Sequence, residues 1–311
     1  MQHPEKYIYQ YDIAYAQPYP KRWELIDSVR NVVFTNLVNK EGVLFRSKIE
    51  ELAAEKYDDK KAQLICYTQK MDYLQLSSIV PINEFERWYN DVIDEATRLQ
   101  FDEIKVNATI TYSNYLSEKY NLHALSLYYA NKCYQYAITA KGISPQSYGY
   151  IYHSIANRFY KFDDFKNAIL AGKEIEKYPD DHIYTLFTLD VIGMSYLKLK
   201  NYDSAIIYFN KDLDYYYKNF APKKWMNGCQ GILLGNKARA YKALGLMDSA
   251  IYNYKIAIDD TYKYNVLDNT CGFATNLADI YLTQNKISEA QQLLPMAINF
   301  TASSGGVQDK M

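Results

Sequence analysis

Glycine and proline are scarce in this chain, 12 and 8 of 311 residues, together roughly half their average frequency. So little backbone punctuation excludes a loop-rich or many-stranded fold and favours long helices with short connections. Cysteine is rarer still: Cys66, Cys133, Cys229 and Cys271 lie far apart without a C-x-x-C pair. They read as small buried hydrophobes in apolar helical stretches and not as a disulfide framework or zinc site. Charge of one sign is also missing. A net charge of −1 gives no positive field for a phosphate backbone, so nucleic acid is not an expected partner. No run approaches the roughly 20 apolar residues of a membrane span, and no basic, apolar and small-residue signal segment opens the chain.

Catalytic signatures are absent too. Phosphate-cradling glycine loops, G-x-S-x-G, H-E-x-x-H and EF-hand spacing do not occur. His3, His123, His153 and His182 are mutually distant, and no pair has the i, i+4 geometry of a metal site. No cofactor, metal or catalytic residue is therefore expected. The acidic pairs Asp163-Asp164, Asp180-Asp181 and Asp259-Asp260 could in principle serve a glycosidase. The first two lie at expected helix starts, where carboxylates cap free N–H groups. Asp203 and Asp248, in recurrent Asp-Ser-Ala triplets, are expected to cap second helices in the same way.

What is present is a spacing. An aromatic residue is followed nine positions later by alanine at Tyr115/Ala124, Phe159/Ala168, Tyr196/Ala205, Tyr241/Ala250 and Tyr281/Ala290, with alanine-to-alanine steps of 44, 37, 45 and 40 residues. A constant separation inside a variable period marks a repeated helix-turn-helix. The clearest copy is Leu189-x2-Ile192-Gly193-x2-Tyr196 followed by Ala205-x3-Phe209, in which Gly193 and Ala205 are small where two helix axes approach and Phe209 fills the space beside them. Looser copies begin at Tyr152, Leu234 and Ala274. Two departures predict less regular interfaces: Gly172 stands where the downstream aromatic of the Ala168 unit belongs, and Tyr112 where a first helix should be small.

This pattern resembles the tetratricopeptide repeat, whose usual unit is about 34 residues. The longer steps imply about one to three extra helical turns. The resemblance implies an all-α, right-handed superhelix (α-solenoid) of about seven antiparallel hairpins forming one continuous domain. Apolar periodicity places helices at 21–39 and 43–57, 58–77 and 83–101, 102–119 and 122–140, 146–161 and 165–177, 182–199 and 202–219, 224–244 and 247–263, and 267–284 and 287–300. Residues 21–101 hold degenerate hairpins and 102–300 the recognisable repeats. An extended lead-in occupies 1–20, with Pro18 and Pro20 stopping any helix before Trp23, and a flexible tail 301–311. Gly42, Pro81, Pro145, Pro179, Pro222 and Gly245 fall in expected connections. Pro295 should kink or end the last helix after Leu294.

Tyrosine is the compositional surplus, at 34 residues. Repeat packing is expected to use Tyr115, Tyr128, Tyr196, Tyr241, Tyr254 and Tyr281, and the remainder suit either core or a ligand surface. Helical rotation predicts which first-helix residues line an inner, partner-binding surface. They are Tyr150, His153, Asn157 and Tyr160 in one unit, and Phe187, Asp190 and Met194 in the next. Asn236, Arg239 and Lys242 follow, then Asn276 and Asp279. Mixed polarity suits an extended protein or peptide segment. Only Arg239 and Lys242 supply positive charge, so the carboxylate clamp of chaperone-tail-binding repeats is not indicated.

The functional expectation is a non-enzymatic interaction module. Long, irregular, tyrosine-rich repeats carrying Tyr202-Asp203-Ser204-Ala205 and Met247-Asp248-Ser249-Ala250 resemble the repeat-built sensor regions of bacterial histidine kinases and related transcriptional regulators. That likeness implies a ligand-sensing, extracytoplasmic array followed by a membrane span and an output domain. The last hairpin lacks a capping helix, so either the polypeptide continues beyond Met311 or the C-terminal edge forms a homodimer. The alternatives are a cytoplasmic scaffold or peptide-responsive regulator, and an α/α-fold enzyme requiring carboxylates from different first helices in one cleft.

Overall fold

The computed structural model describes residues 3–19, 21–32, 40–77, 80–141, 143, 145–177, 183–221 and 223–303. Pro20, Pro179, Asp180, Asp181, His182, Pro222 and, in the expected tail, residues 304–311 lie outside them. Among the described residues the chain is all-α, with no strand. It divides into two compact units, residues 1–144 and 145–311.

Unit 1 begins with a 3-10 helix, Pro4–Tyr11, and α1, Asp12–Tyr15, where an extended lead-in was expected. This segment coils because it has apolar surface to bury: Tyr11, Ala14 and Tyr15 join Ile26, Ile49, Ala53 and Ala54 in one cluster. The helices that follow are α2 (Lys21–Val32), α3 (Lys40–Lys56), α4 (Lys60–Ser77), α5 (Ile82–Arg98), α6 (Asp102–Tyr120) and α7 (His123–Thr139). Gly42, expected in a connection, lies instead in the first turn of α3. Asp59 ties the segment together. Its carboxylate takes Arg22 Nη1 at 2.6 Å and the Tyr19 hydroxyl at 2.8 Å, and it caps α4 by accepting from the Ala62 N–H at 3.0 Å.

A second cluster fills the space between α4, α5 and α6, and here aromatic rings replace the small-residue contacts. Phe85 stacks on Tyr115 with centroids 3.8 Å apart, and Tyr89 stacks on Tyr112 at 4.6 Å. Tyr112, too large for the repeat pattern, thus becomes part of a ring stack. Tyr128 is a correction: it is 59% exposed, and its neighbour Tyr129 makes the edge contacts to Tyr89 and Tyr112.

Unit 2 contains α8 (Pro145–Lys161), α9 (Phe165–Lys173), α10 (Ile183–Lys198), α11 (Tyr202–Asn219), α12 (Cys229–Ala243), α13 (Met247–Lys263), α14 (Leu267–Thr283) and α15 (Ile287–Ser303). Its turns explain the nine-residue spacing as two hydrogen-bond steps. The carbonyl of the aromatic residue accepts from the N–H five positions on, which closes the first helix: Asp164 to Phe159 at 3.0 Å, Asn201 to Tyr196 at 2.9 Å, Leu246 to Tyr241 at 3.0 Å and Lys286 to Tyr281 at 2.8 Å. The carbonyl of that fifth residue then accepts from the alanine four positions later, opening the second helix, as Ala205 does to Asn201 at 3.1 Å. Between the two steps one residue is left-handed: Asp163, Lys200, Gly245 or Asn285.

The expected copy at Tyr115/Ala124 does not follow this rule. In the α6–α7 turn the Leu122 N–H reaches back six positions to Leu116, and Ser126 makes the next step to Leu122. The buried small residue is therefore Ser126, which exchanges hydrogen bonds with Ser113, while Ala124 is exposed. Nor does Pro295 end its helix, because α15 runs through it to Ser303. Pro295 and Gln291 are both exposed, so the carbonyl deprived of its helical donor faces water.

Size complementarity holds unit 2 together. A Cβ on Gly193 would stand 2.6 Å from Phe209 Cε1, and one on Gly235 would stand 2.2 Å from Phe273 Cζ. Gly172, lacking the expected aromatic, is filled from the neighbouring helix, with Ile192 Cγ1 2.7 Å from where its Cβ would be. Ala168, Ala205 and Ala250 are fully buried and Ala290 nearly so; Phe159 and Tyr281 are buried, while Tyr196 and Tyr241 are partly so.

Candidate functional site

The side chains selected by rotation lie on the first helices α8, α10, α12 and α14 of unit 2, and consecutive helices bring several of them into contact. At one end the residues are aromatic. His153 packs against Phe187 at 5.8 Å and Tyr184 at 5.7 Å, Tyr150 meets Tyr184 edge-on at 5.4 Å, and the His153 Nδ1 atom lies 3.4 Å from the Thr188 hydroxyl. Burial, with Lys161 adding repulsion, pushes the His153 imidazolium down to about 4, so the ring is neutral at pH 7. Phe187 remains exposed. Tyr184 was not selected, because its role depends on the offset between α8 and α10.

Farther along, Asn236 joins two charges. Its Nδ2 donates to Asp190 Oδ1 at 2.8 Å and its Oδ1 accepts from Arg239 Nη1 at 3.0 Å, while the guanidinium sits 5.2 Å over the Phe273 ring. Burial outweighs both the Asn236 hydrogen bond and Arg239 and pushes the Asp190 acid up to about 6. Lys242 then bridges to α14, donating to Asp279 at 2.6 Å and Asn276 at 3.3 Å. Contacts thus join α8 to α10, α10 to α12 and α12 to α14, with Asp190 and Asp279 on either side of the cations Arg239 and Lys242. Tyr160 packs beside Phe165 and feels both Asp190 and Arg239. Asn157 is half-buried on α8, and Met194 packs against the Ala205, Phe209 and Ala240 cluster, which withdraws it from the row.

The acidic pairs are placed separately. Asp164 caps α9, accepting from Asn167, whereas Asp163 is the left-handed turn residue before it. Asp203 and Asp248 lie inside the first turns of α11 and α13, where they complement the helix dipole, and the capping positions are Asn201 and Leu246. Asp260 accepts from the Gly231 N–H at 2.8 Å and so closes the start of α12 from the end of α13. Cys66 and Cys133 are buried and Cys229 and Cys271 partly so, all with free thiols. Among the described residues no group of three or more His, Cys, Asp or Glu side chains is placed to hold a metal, and no helix is long and apolar enough to cross a membrane.

No protein-family model and no curated protein matches the sequence. Solved structures do resemble it. BtubC from P. vanneervenii has a TM-score of 0.57 and 12% identity over 73% of this chain and 94% of that one. The apo form of RapI has a TM-score of 0.52 and 14% identity over 93% and 96% of the two chains. The signal transduction ATPase PH0952 from Pyrococcus horikoshii, described as carrying a tetratricopeptide repeat sensor, has a TM-score of 0.51 and 16% identity, covering 97% of this chain and 48% of that one. The chain has a tetratricopeptide-like helical repeat fold. At these identities the likeness concerns the fold, and the activities of those proteins remain their own.

Proposed function

We propose that unit 2 is a non-catalytic module that binds an extended peptide or protein segment across α8, α10, α12 and α14. The observation that carries this reading is the row itself. Contacts from His153 to Phe187, from Asp190 through Asn236 to Arg239, and from Lys242 to Asp279 join consecutive first helices. Such a row supplies an aromatic anchor at one end and amide and charged groups beyond it. A ligand spanning these helices alters their relative placement only in so far as it favours one arrangement over another.

The finer reading is a ligand-sensing region of a bacterial signal-transduction protein. Its support is the sequence likeness to repeat-built sensor regions and the shared fold with a signalling ATPase described as having a repeat sensor. The test is selection from an immobilised decapeptide library, followed by affinity measurements on the wild type and on Asn236→Ala/Lys242→Ala. Selected sequences are expected to bind the double variant at least tenfold more weakly, with its helical circular dichroism unchanged. Equal binding by both proteins, or no selection at all, would remove the row as a recognition surface.

A further inference from the structure

Asp212 on α11 is fully buried, and among the described residues neither of its carboxylate oxygens has a hydrogen-bond donor. An isolated carboxylate in such a place is strongly disfavoured as an ion and tolerated as a neutral acid. Asp190 on the adjoining α10 is partly exposed and accepts from Asn236, and its charge opposes ionisation of Asp212. The other groups facing the pair are Tyr160 from α8 and Cys229 and Arg239 from α12. Arg239 is the cation among them. It reaches the pair through the Asn236 amide and is otherwise placed over Phe273. Cys229 offers no charge, because burial and the surrounding carboxylates push its thiol up to about 12.

We propose that Asp190 and Asp212 form a proton-sensing pair that switches the charge and hydrogen-bond polarity of the ligand face of unit 2. Burial, with the Asp190 charge adding repulsion, holds the Asp212 acid well above the ordinary carboxylate range, while Asp190 gains or loses its proton between mildly acid and neutral solution. Ionised, Asp190 accepts from the Asn236 amide, whose oxygen is thereby turned to Arg239, and its charge offsets that of Arg239. Protonated, it no longer offsets Arg239, and that part of the face becomes net positive. Acid therefore disfavours a basic ligand segment and favours an acidic one. The consequence for affinity rests on the ligand-binding reading above; the titrations do not.

The experiment follows the aspartate carboxyl carbons of the full chain by NMR from pH 4 to 8.5, with Asp190→Asn and Asp212→Asn for assignment. Asp72 of unit 1, which burial also pushes up to about 6, is identified with Asp72→Asn. Asp190 is expected to titrate within about one unit of pH 6, and the Asn236 side-chain amide signals should move with the same midpoint. Asp212 should titrate well above the ordinary carboxylate range in the wild type and at lower pH in Asp190→Asn. An Asp190 midpoint below 4.5, an Asn236 amide blind to it, or an Asp212 unmoved by Asp190→Asn would each overturn the pair. If Asp212→Asn does not fold, the wild-type and Asp190→Asn titrations decide the matter.

Basic and acidic decapeptide pools at pH 5.0 and 7.5 supply the affinity arm. The basic pool should bind at least threefold more weakly at pH 5.0, and this dependence should vanish in Asp190→Asn. Affinities independent of pH would overturn the switch even if both carboxyls titrate as stated. Absence of binding at both pH values would overturn the ligand reading together with its pH consequence, while the carboxyl titrations still decide the pair.

Discussion

Phe209 occupies the volume that any side chain larger than hydrogen at position 193 would need, with its Cε1 atom 2.6 Å from the place of a Gly193 Cβ. Gly193→Ala should therefore destabilise unit 2 by about 1–3 kcal/mol, although alanine is the better helix former by about 1 kcal/mol. Phe209→Ala should cost about 3–5 kcal/mol. In the combined variant the new methyl enters the vacated space, so the loss should be less than the sum. Urea unfolding of the four proteins checks this; strict additivity would mean that the two residues do not share one volume.

Lys200 is exposed and left-handed, with φ of 60°. Since only the turn conformation is required there, Lys200→Gly relieves a strain of about 1–2 kcal/mol, offset in part by the greater freedom glycine gives the unfolded chain. The expected net gain is about 0.5–1 kcal/mol, seen as a raised thermal midpoint. A lowered midpoint would show that the lysine stem contributes more than the strain removes.

Asp59 holds three partners with one side chain. Asp59→Ala leaves the half-buried Arg22 guanidinium with carbonyl acceptors but no counter-charge, frees the Tyr19 hydroxyl and uncaps α4. Removing one member of such a pair costs about 3 kcal/mol or more. Hydrogen exchange should quicken in residues 4–15 and the first turn of α4, with unit 2 as the internal reference. Unaltered protection in the N-terminal segment would assign its docking to Tyr11, Ala14 and Tyr15 alone.

Stability should fall with rising pH in one window. Asp190 and Asp212 are both raised above the unfolded value of about 3.9, so folding binds protons there, and stability present below that value is lost as pH climbs toward the folded values. Asp212→Asn, which cannot ionise, should lose less. Its stability relative to wild type should rise steadily with pH between 4 and 8, as read from urea midpoints. A difference independent of pH would mean that Asp212 titrates in the folded protein at its unfolded value.

The helices were legible because their signals are local. Tyr196, Gly193, Ala205 and Phe209 lie within two turns of one connection, and the connection is set by backbone hydrogen bonds that fix the count from Tyr196 to Ala205. The α6–α7 turn has the same residue types and one more position in its first step, which spacing alone cannot reveal, so Ala124 was read in place of Ser126. Rotation about a helix axis selects Asp190, Asn236, Arg239, Lys242 and Asp279, which hydrogen bonds join across α10, α12 and α14. It missed Tyr184, Asp212 and Asp260, whose roles depend on how far one helix slides along another. The coiling of residues 4–15 was hidden because Tyr11 and Tyr15 acquire their apolar partners from α2 and α3.

The link from Asp260 to the Gly231 amide fastens the open mouth of the α12/α13 hairpin, opposite its turn at Gly245. With a fastening at each end, the two helices resist splaying like tongs and behave mechanically as a single beam. Asn236, Arg239 and Lys242 all belong to that beam, so the bonds that Asn236 makes to α10 and Lys242 makes to α14 act on one piece.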